Sequence, residues 1–199
     1  MERSFVLILD FGSQYTQLIA RRIREQHVYC EIQPCTIDIE EIRRLAPSAV
    51  VLSGGPASVF EEGAPRVDEG VFELGVPVLG ICYGMQLFCH ASEREYGAAT
   101  IRVKKAEGVF EPFDPGADLE VWMSHGDRVA GLPEGFETLA STDNAPFAAV
   151  GNAARKIYGL QFHPEVAHTP QGPELLGAFL FHICGLKADW TPGSFIEET

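Results

Sequence analysis

Val76-Pro-Val-Leu-Gly-Ile-Cys-Tyr-Gly84 decides the architecture. An apolar run of strand length, Val76 to Ile81, passes without a loop into Cys82 and then into a stretch of helical character, Tyr83 to Ala91. A run that is apolar at consecutive positions, rather than at alternate ones, belongs to a strand buried on both faces. Such strands sit in parallel sheets sandwiched between helices. The chain upstream repeats the unit. Phe5-Val-Leu-Ile-Leu9 is a second buried strand, stopped by Asp10-Phe-Gly-Ser13, after which Tyr15, Leu18, Ile19 and Ile23 recur at helical spacing. Val28, Cys30 and Ile32 alternate as a strand, Asp38 and Glu41 form the pattern of a capping box for a short helix carrying Ile39, Ile42 and Leu45, and Ala49-Val-Val-Leu52 is a further buried strand. A short helix around Val67, Val71 and Leu74 ends at Gly75. Strand, helix, strand, helix with short connections predicts an α/β fold: an open, mostly parallel sheet with helices on both faces.

The second half reads differently. Thr100–Val103, Leu119–Met123, Phe136–Ala140, Phe147–Val150 and Lys156–Phe162 are short strand-like runs separated by turns, which predicts an antiparallel extension of the same sheet. A last helix is expected over 171–184, with Leu175, Leu176, Phe179, Leu180 and Ile183 on its apolar side.

Composition fits this picture and excludes others. The 199 residues are 46% hydrophobic and 22% charged, a globular balance. The net charge is −13, from 15 basic against 28 acidic residues, and the excess is spread evenly over both halves. A uniformly negative surface repels phosphate backbones and anionic lipid, so neither nucleic acid nor a membrane is expected as a partner. No apolar run approaches the ~20 residues of a membrane span, and Met1-Glu-Arg3 does not open a secretory signal. Five cysteines (30, 35, 82, 89 and 184) without a C-x-x-C pair predict free thiols and a reducing, cytoplasmic setting.

Three features could carry chemistry. Gly80-Ile-Cys82-Tyr-Gly84 has the form of a nucleophile elbow with cysteine as the nucleophile, and the following helix places Cys82 where a thiolate is favoured. Gln161-Phe-His163-Pro-Glu165 follows a strand, and residues two apart in an extended segment share a face, so Glu165 can orient the His163 imidazole. Ser53-Gly54-Gly55-Pro56 ends another strand, and its paired glycines suit an oxyanion hole shared with the N–H of Tyr83. Each feature also has an ordinary structural use: a small core cysteine, a satisfied histidine at a strand end, a plain turn. Their coincidence at the carboxyl ends of strands, where open α/β sheets place their sites, argues for a nucleophile, base and orienter set. Cys89, seven residues after Cys82, is expected on the same helix face and packed. No nucleotide-binding or metal-ligand motif is visible.

These residues are also where a resemblance lies. Ser53-Gly-Gly-Pro56, Gly80-Ile-Cys-Tyr-Gly-Met-Gln86 and Gln161-Phe-His-Pro-Glu165 resemble the motifs of the class I (triad) glutamine amidotransferases, a family of flavodoxin-like fold. Asp10-Phe-Gly-Ser-Gln-Tyr15, Glu93-Arg-Glu-Tyr-Gly97 and Trp122-Met-Ser-His-Gly-Asp127 are similar, more narrowly, to the GMP-synthetase branch of that family. The resemblance implies that Cys82 attacks the side-chain amide of glutamine, that His163 moves the proton, and that Glu165 orients His163. It implies an oxyanion hole from the N–H groups of Gly55 and Tyr83, and glutamine held by Gly54, Gln86, Ser124, His125, Gly126 and Asp127. It further implies that the products are glutamate and ammonia, and that the ammonia serves amination of XMP to GMP. ATP and Mg²⁺ would be used by an ATP-pyrophosphatase (synthetase) domain attached in cis, with no cofactor in this domain, in an enzyme that is a candidate homodimer. A catalytically silent, glutamine-binding relative is the alternative, and a cysteine peptidase or esterase on a related fold is a third reading.

Two departures from the family pattern stand out. His90-Ala-Ser92 runs straight into Glu93, so several residues of the family's helix and following strand are missing near 91–92. The synthetase domain's Ser-Gly-Gly-x-Asp-Ser loop is also missing; Ser53-Gly-Gly-Pro56 is not that loop, because Pro56 and Ala57 follow. The expected organisation is an amidotransferase domain over 1–187 and the start of a linker over 188–199, where Trp190-Thr-Pro-Gly reads as a turn and Ser194 with Glu197 as a new capping box.

Overall fold

The computed structural model of the chain describes residues 4–92, 95–125 and 128–193. Five strands run parallel: β1 (Val6–Asp10), β2 (Cys30–Pro34), β3 (Ala49–Leu52), β4 (Val78–Ile81) and, much later in the chain, β11 (Ile157–Leu160). Their order is β2-β1-β3-β4-β11, and the sheet continues as β10-β9-β6-β7 in antiparallel pairing. These last are β6 (Glu95–Val103), β7 (Asp118–His125), β9 (Glu137–Ser141) and β10 (Ala149–Asn152). The mixed sheet agrees with the pattern of the sequence in both halves.

Burial explains the runs. In β1, Val6 and Ile8 enter one core, whereas Leu7 and Leu9 enter the other; Ala49 and Val51 are likewise opposed to Val50 and Leu52 in β3. Helix α1 (Thr16–Glu25) covers the first core with Ile19 and Ile23, together with α4 (Gly172–Gly177) and a π-helical turn, Ala178–Ile183. Helix α2 (Ile39–Leu45) and a 3₁₀ turn, Glu69–Glu73, cover the second with Ile42 and Val71. Asp38 caps α2 by accepting from the N–H of Glu40 at 2.7 Å, but Glu41 pairs with Arg44 instead of reaching back to complete a box.

The antiparallel half does not stay flat. β7 is the far edge of the sheet, at the opposite end of nine strands from β2, yet Met123 bridges antiparallel to Phe162, just beyond the end of β11. The half-sheet therefore curls until its last strand meets the end of the parallel half. Ile101, Val121, Met123 and Leu139 face inward with Leu160, Phe162 and Phe179 in one continuous core.

Three readings are corrected. The helix after Cys82 is a single turn, α3 (Tyr83–Gln86), not a helix to Ala91. Leu87 and Phe88 leave it, Phe88 to pack against Phe72 and Phe136, and His90–Ser92 forms β5, paired with β8 (Arg128–Gly131). Cys89 is buried, as expected, but beside Met85, Val129 and Val150 and not on a helix face. The helix expected around 67–74 is a 3₁₀ turn, Glu69–Glu73. The last helix lies where expected, continuous over 172–183 with Leu175, Leu176, Phe179 and Leu180 buried, its second half π-helical. Trp190 folds back onto the domain, its backbone N–H donating to His27 O at 2.8 Å and its ring lying 6.0 Å from that of Tyr29. Ser194 and Glu197 lie outside the described residues.

Candidate active site

The carboxyl ends of β1, β3, β4 and β11, four neighbours in the sheet, converge on one point. At the end of β4, Cys82 has φ 52° and ψ −107°, a conformation that non-glycine residues rarely adopt and that is characteristic of strained functional turns. The flanking glycines are required by contact. A Cβ on Gly84 would stand 2.4 Å from Leu52 O, and one on Gly80 would stand 2.7 Å from the backbone of Gly84. No side chain fits at either place, so the sharp turn is bound to these two glycines. The thiol is almost fully buried and donates to Ser124 O at 3.5 Å. Because α3 is one turn long, the field acting on the thiol is local and not that of a long helix.

His163 and Glu165 follow β11. Nδ1–H of His163 donates to Oε1 of Glu165 at 2.7 Å, with side-chain exposures of 4% and 0%. That bond leaves Nε2 for the thiol. Burial pushes the imidazole down, but hydrogen bonds to Cys82 and to Glu165, with the charges of both, outweigh it and hold His163 up to about 10. The backbone O of Glu165 accepts from Arg22 Nε on α1 at 3.0 Å, which ties this residue to the helix over the first core.

Gly54 and Gly55 close the site from β3. A Cβ on Gly54 would lie 3.2 Å from Cε1 of His163 and 3.7 Å from the Cβ of Cys82; one on Gly55 would lie 3.0 Å from Phe11 O and 3.3 Å from the Tyr83 ring. The Ser53 hydroxyl fixes the turn, accepting from Phe11 N–H at 3.0 Å and donating to Gly54 O at 2.8 Å. Ser124, at the end of β7, and His163 line a cleft of about 330 Å³ together with Ser13, Tyr15, Gly55 and Pro56. Gln86 is buried on α3, one turn beyond Cys82. The backbone of His125 ends β7; Gly126 and Asp127 lie outside the described residues.

The loop after β1 brings residues that the motifs did not single out as site residues. Tyr15 meets the His163 ring edge-on at 5.1 Å. Asp10 holds the loop by accepting from Gly12 N–H and the Thr16 hydroxyl, at 2.9 and 2.6 Å. Their signal was topological: Asp10-Phe-Gly-Ser-Gln-Tyr15 lies at the carboxyl end of a central strand, beside the point where strand order reverses. Among the described residues, no group of three or more His, Cys, Asp or Glu side chains is disposed to hold a metal ion.

A buried thiol on a strained elbow, an imidazole beside it and a buried carboxylate bonded to that imidazole are the groups that an acyl-transfer site with a cysteine nucleophile needs. The family model described as glutamine amidotransferase class-I matches residues 7–183, and the chain belongs to that family. Within it, the chain is 53% identical to GMP synthase [glutamine-hydrolyzing] of Maridesulfovibrio salexigens and 51% identical to that of Heliobacterium modesticaldum. Each match takes in 97% of this chain and 39% of the relative. The chain thus spans about two fifths of the length of these relatives. With the enzyme of that name from Natranaerobius thermophilus it is 51% identical over 207 aligned positions, more than the chain's own 199, so the chain lacks several positions that the relative has. Among solved structures, a GMP synthase component from Thermoplasma acidophilum superposes with a TM-score of 0.80 at 28% identity, over 99% of this chain and 98% of that one. A glutamine amidotransferase of Thermotoga maritima, 20% identical with a TM-score of 0.69, shares the fold over 92% of this chain and 98% of that one.

Proposed function

We propose that this chain hydrolyses the side-chain amide of L-glutamine with Cys82 as nucleophile, His163 as acid and base, and Glu165 as orienter. The thiol proton passes first to Nε2 of His163, which is raised to about 10 and so holds it, and Sγ then attacks the amide carbon. The oxyanion is met by the N–H groups of Gly55 and Tyr83. His163 returns the proton to the departing nitrogen; the C–N bond breaks, ammonia leaves and a glutamyl thioester remains. Water then gives a proton to His163 and attacks the thioester, glutamate leaves, and the thiol is restored. Glu165 holds the Nδ1 proton throughout, which keeps Nε2 available as the base. Gly54, Gln86, Ser124, His125, Gly126 and Asp127 are assigned to holding glutamine.

The observation that carries this reading is the buried His163–Glu165 hydrogen bond beside a buried thiol, with Gly54 packed between the His163 ring and Cys82, on an elbow whose glycines admit no side chain. Names and coverage of the relatives extend the reading. The ammonia is passed to a synthetase region that aminates XMP to GMP with ATP and Mg²⁺, in a cytoplasmic, homodimeric enzyme. In that scheme residues 1–187 are the amidotransferase domain and 188–199 begin the linker. Among the described residues, no helix is long and apolar enough to cross a membrane.

The test is release of glutamate and ammonia from glutamine by the intact protein that contains this domain. Cys82→Ala is expected to lower turnover by at least about 10⁴-fold. Unchanged turnover in Cys82→Ala overturns the assignment.

A further inference from the structure

The backbone of His163 is held by a hydrogen-bond circuit with one unexpected member. Met123 and Phe162 form a direct antiparallel bridge, and the same register places Trp122 opposite His163. The N–H of His163 donates to Trp122 O at 3.0 Å, as one bond of an antiparallel pair should. The return bond, from Trp122 N–H to His163 O, is not made. Instead Trp122 N–H donates to Oγ1 of Thr169 at 3.1 Å, and the Thr169 hydroxyl donates to His163 O at 2.7 Å.

A single hydroxyl is thus inserted into the ladder at the residue that carries the base. Two bonds in series span more than one, so the ladder opens on this side, and Pro164, which has no N–H, cannot resume it. Thr169 is itself tightly placed. It is 2% exposed, its N–H donates to Val166 O, and its carbonyl accepts from Gly172 N–H. Gly172 in turn lies so close to Pro164 O that a Cβ there would stand 1.8 Å away. The turn from Val166 to Gly172 is therefore pressed against the segment it holds. β7 is the common reference for the two reacting groups: Trp122 fixes His163, and Ser124, two residues on, accepts from the Cys82 thiol.

We propose that Thr169 is a positioning residue of the triad, its hydroxyl setting the separation of His163 from β7 and so the placement of the imidazole against Cys82. The proposal rests on the triad reading above. Thr169→Val keeps the volume but leaves Trp122 N–H and His163 O buried without partners. It is expected to lower kcat for glutamine hydrolysis about 10- to 100-fold, the scale of a misplaced reacting group, with KM for glutamine within about twofold of wild type. Alkylation of Cys82 by iodoacetamide should slow in parallel. Thr169→Ser, which keeps the hydroxyl, should restore kcat to within about threefold.

If Thr169→Val does not fold, Thr169→Ala, which admits a water in place of the hydroxyl, is expected to lower kcat at least about threefold with KM held. Wild-type kcat in whichever of these folds, a loss confined to KM, or failure of serine to rescue would each overturn the proposal. The two readings fail separately. Turnover that survives Cys82→Ala and His163→Ala removes the triad itself. Turnover lost in those variants but intact without the Thr169 hydroxyl removes only this inference.

Discussion

The parallel strands β2-β1-β3-β4-β11 and the antiparallel strands β10-β9-β6-β7 belong to one sheet but meet the site in different ways. The parallel half delivers side chains. Each of its central strand ends opens into a loop at the same crest, and Cys82, His163, Glu165 and the glycines after β3 stand there. The antiparallel half delivers backbone. It curls until Trp122 and Ser124 offer main-chain groups to His163 and to the Cys82 thiol. The difference teaches that the side chains of the proposed site and the frame that spaces them come from separate parts of the chain. A substitution can therefore strike chemistry or spacing, and the two should be distinguishable.

The largest effect expected from the crest, after loss of the nucleophile, is that of Glu165→Gln. An amide at this position no longer enforces the tautomer or stabilises the imidazolium, so kcat should fall on the order of 10²- to 10⁴-fold. Steady-state kinetics with KM for glutamine near wild type would place the loss in the chemical step; a loss in KM alone would move Glu165 from orienter to substrate contact.

Gly84→Ala probes the elbow instead. Its Cβ meets the main chain of Leu52 and not a flexible tip, so the backbone must shift. Urea unfolding should show a loss of about 1–3 kcal/mol, the usual cost of overpacking, together with reduced turnover. Wild-type stability in this variant would contradict the close packing of α3 on β3.

The remaining effect is one of pH. His163 is raised from 6.5 to about 10 in the folded chain. A raised pKa contributes stability that is fully present below about 6.5 and is lost as pH climbs through about 10. The thermal midpoint of the wild type should therefore fall relative to that of His163→Gln across this interval. A difference that is constant with pH would mean that the bonds to Cys82 and Glu165 do not favour the imidazolium.

Much of the frame of the crest was legible because its strands and its elbow leave local marks. Strands buried on both faces announce themselves as uninterrupted apolar runs, and Gly80 and Gly84 around a cysteine encode a turn that only glycine permits. The rest was hidden for physical reasons. Leu87 and Phe88 continue the helical period past Gln86, so the helix reads as long; Phe88 buries just as well against Phe72 and Phe136 after it has ended. β5 and β8 are three and four residues long, too short for a pattern to show. The curl that brings β7 to Phe162 is a property of the whole half-sheet and leaves no local mark. Thr169 gave no signal in sequence, since a threonine in a polar turn is ordinary until register places its hydroxyl between two strands.

The assignment of Cys82 as a glutamine-attacking nucleophile is best tested by peptide mapping of the intact protein after reaction with a glutamine analogue bearing an electrophilic carbon. One adduct is expected, on Cys82, suppressed by excess glutamine and accompanied by loss of glutamine hydrolysis. Adducts on Cys30, Cys35, Cys89 or Cys184 with Cys82 untouched, or hydrolysis that continues with Cys82 fully modified, would contradict it.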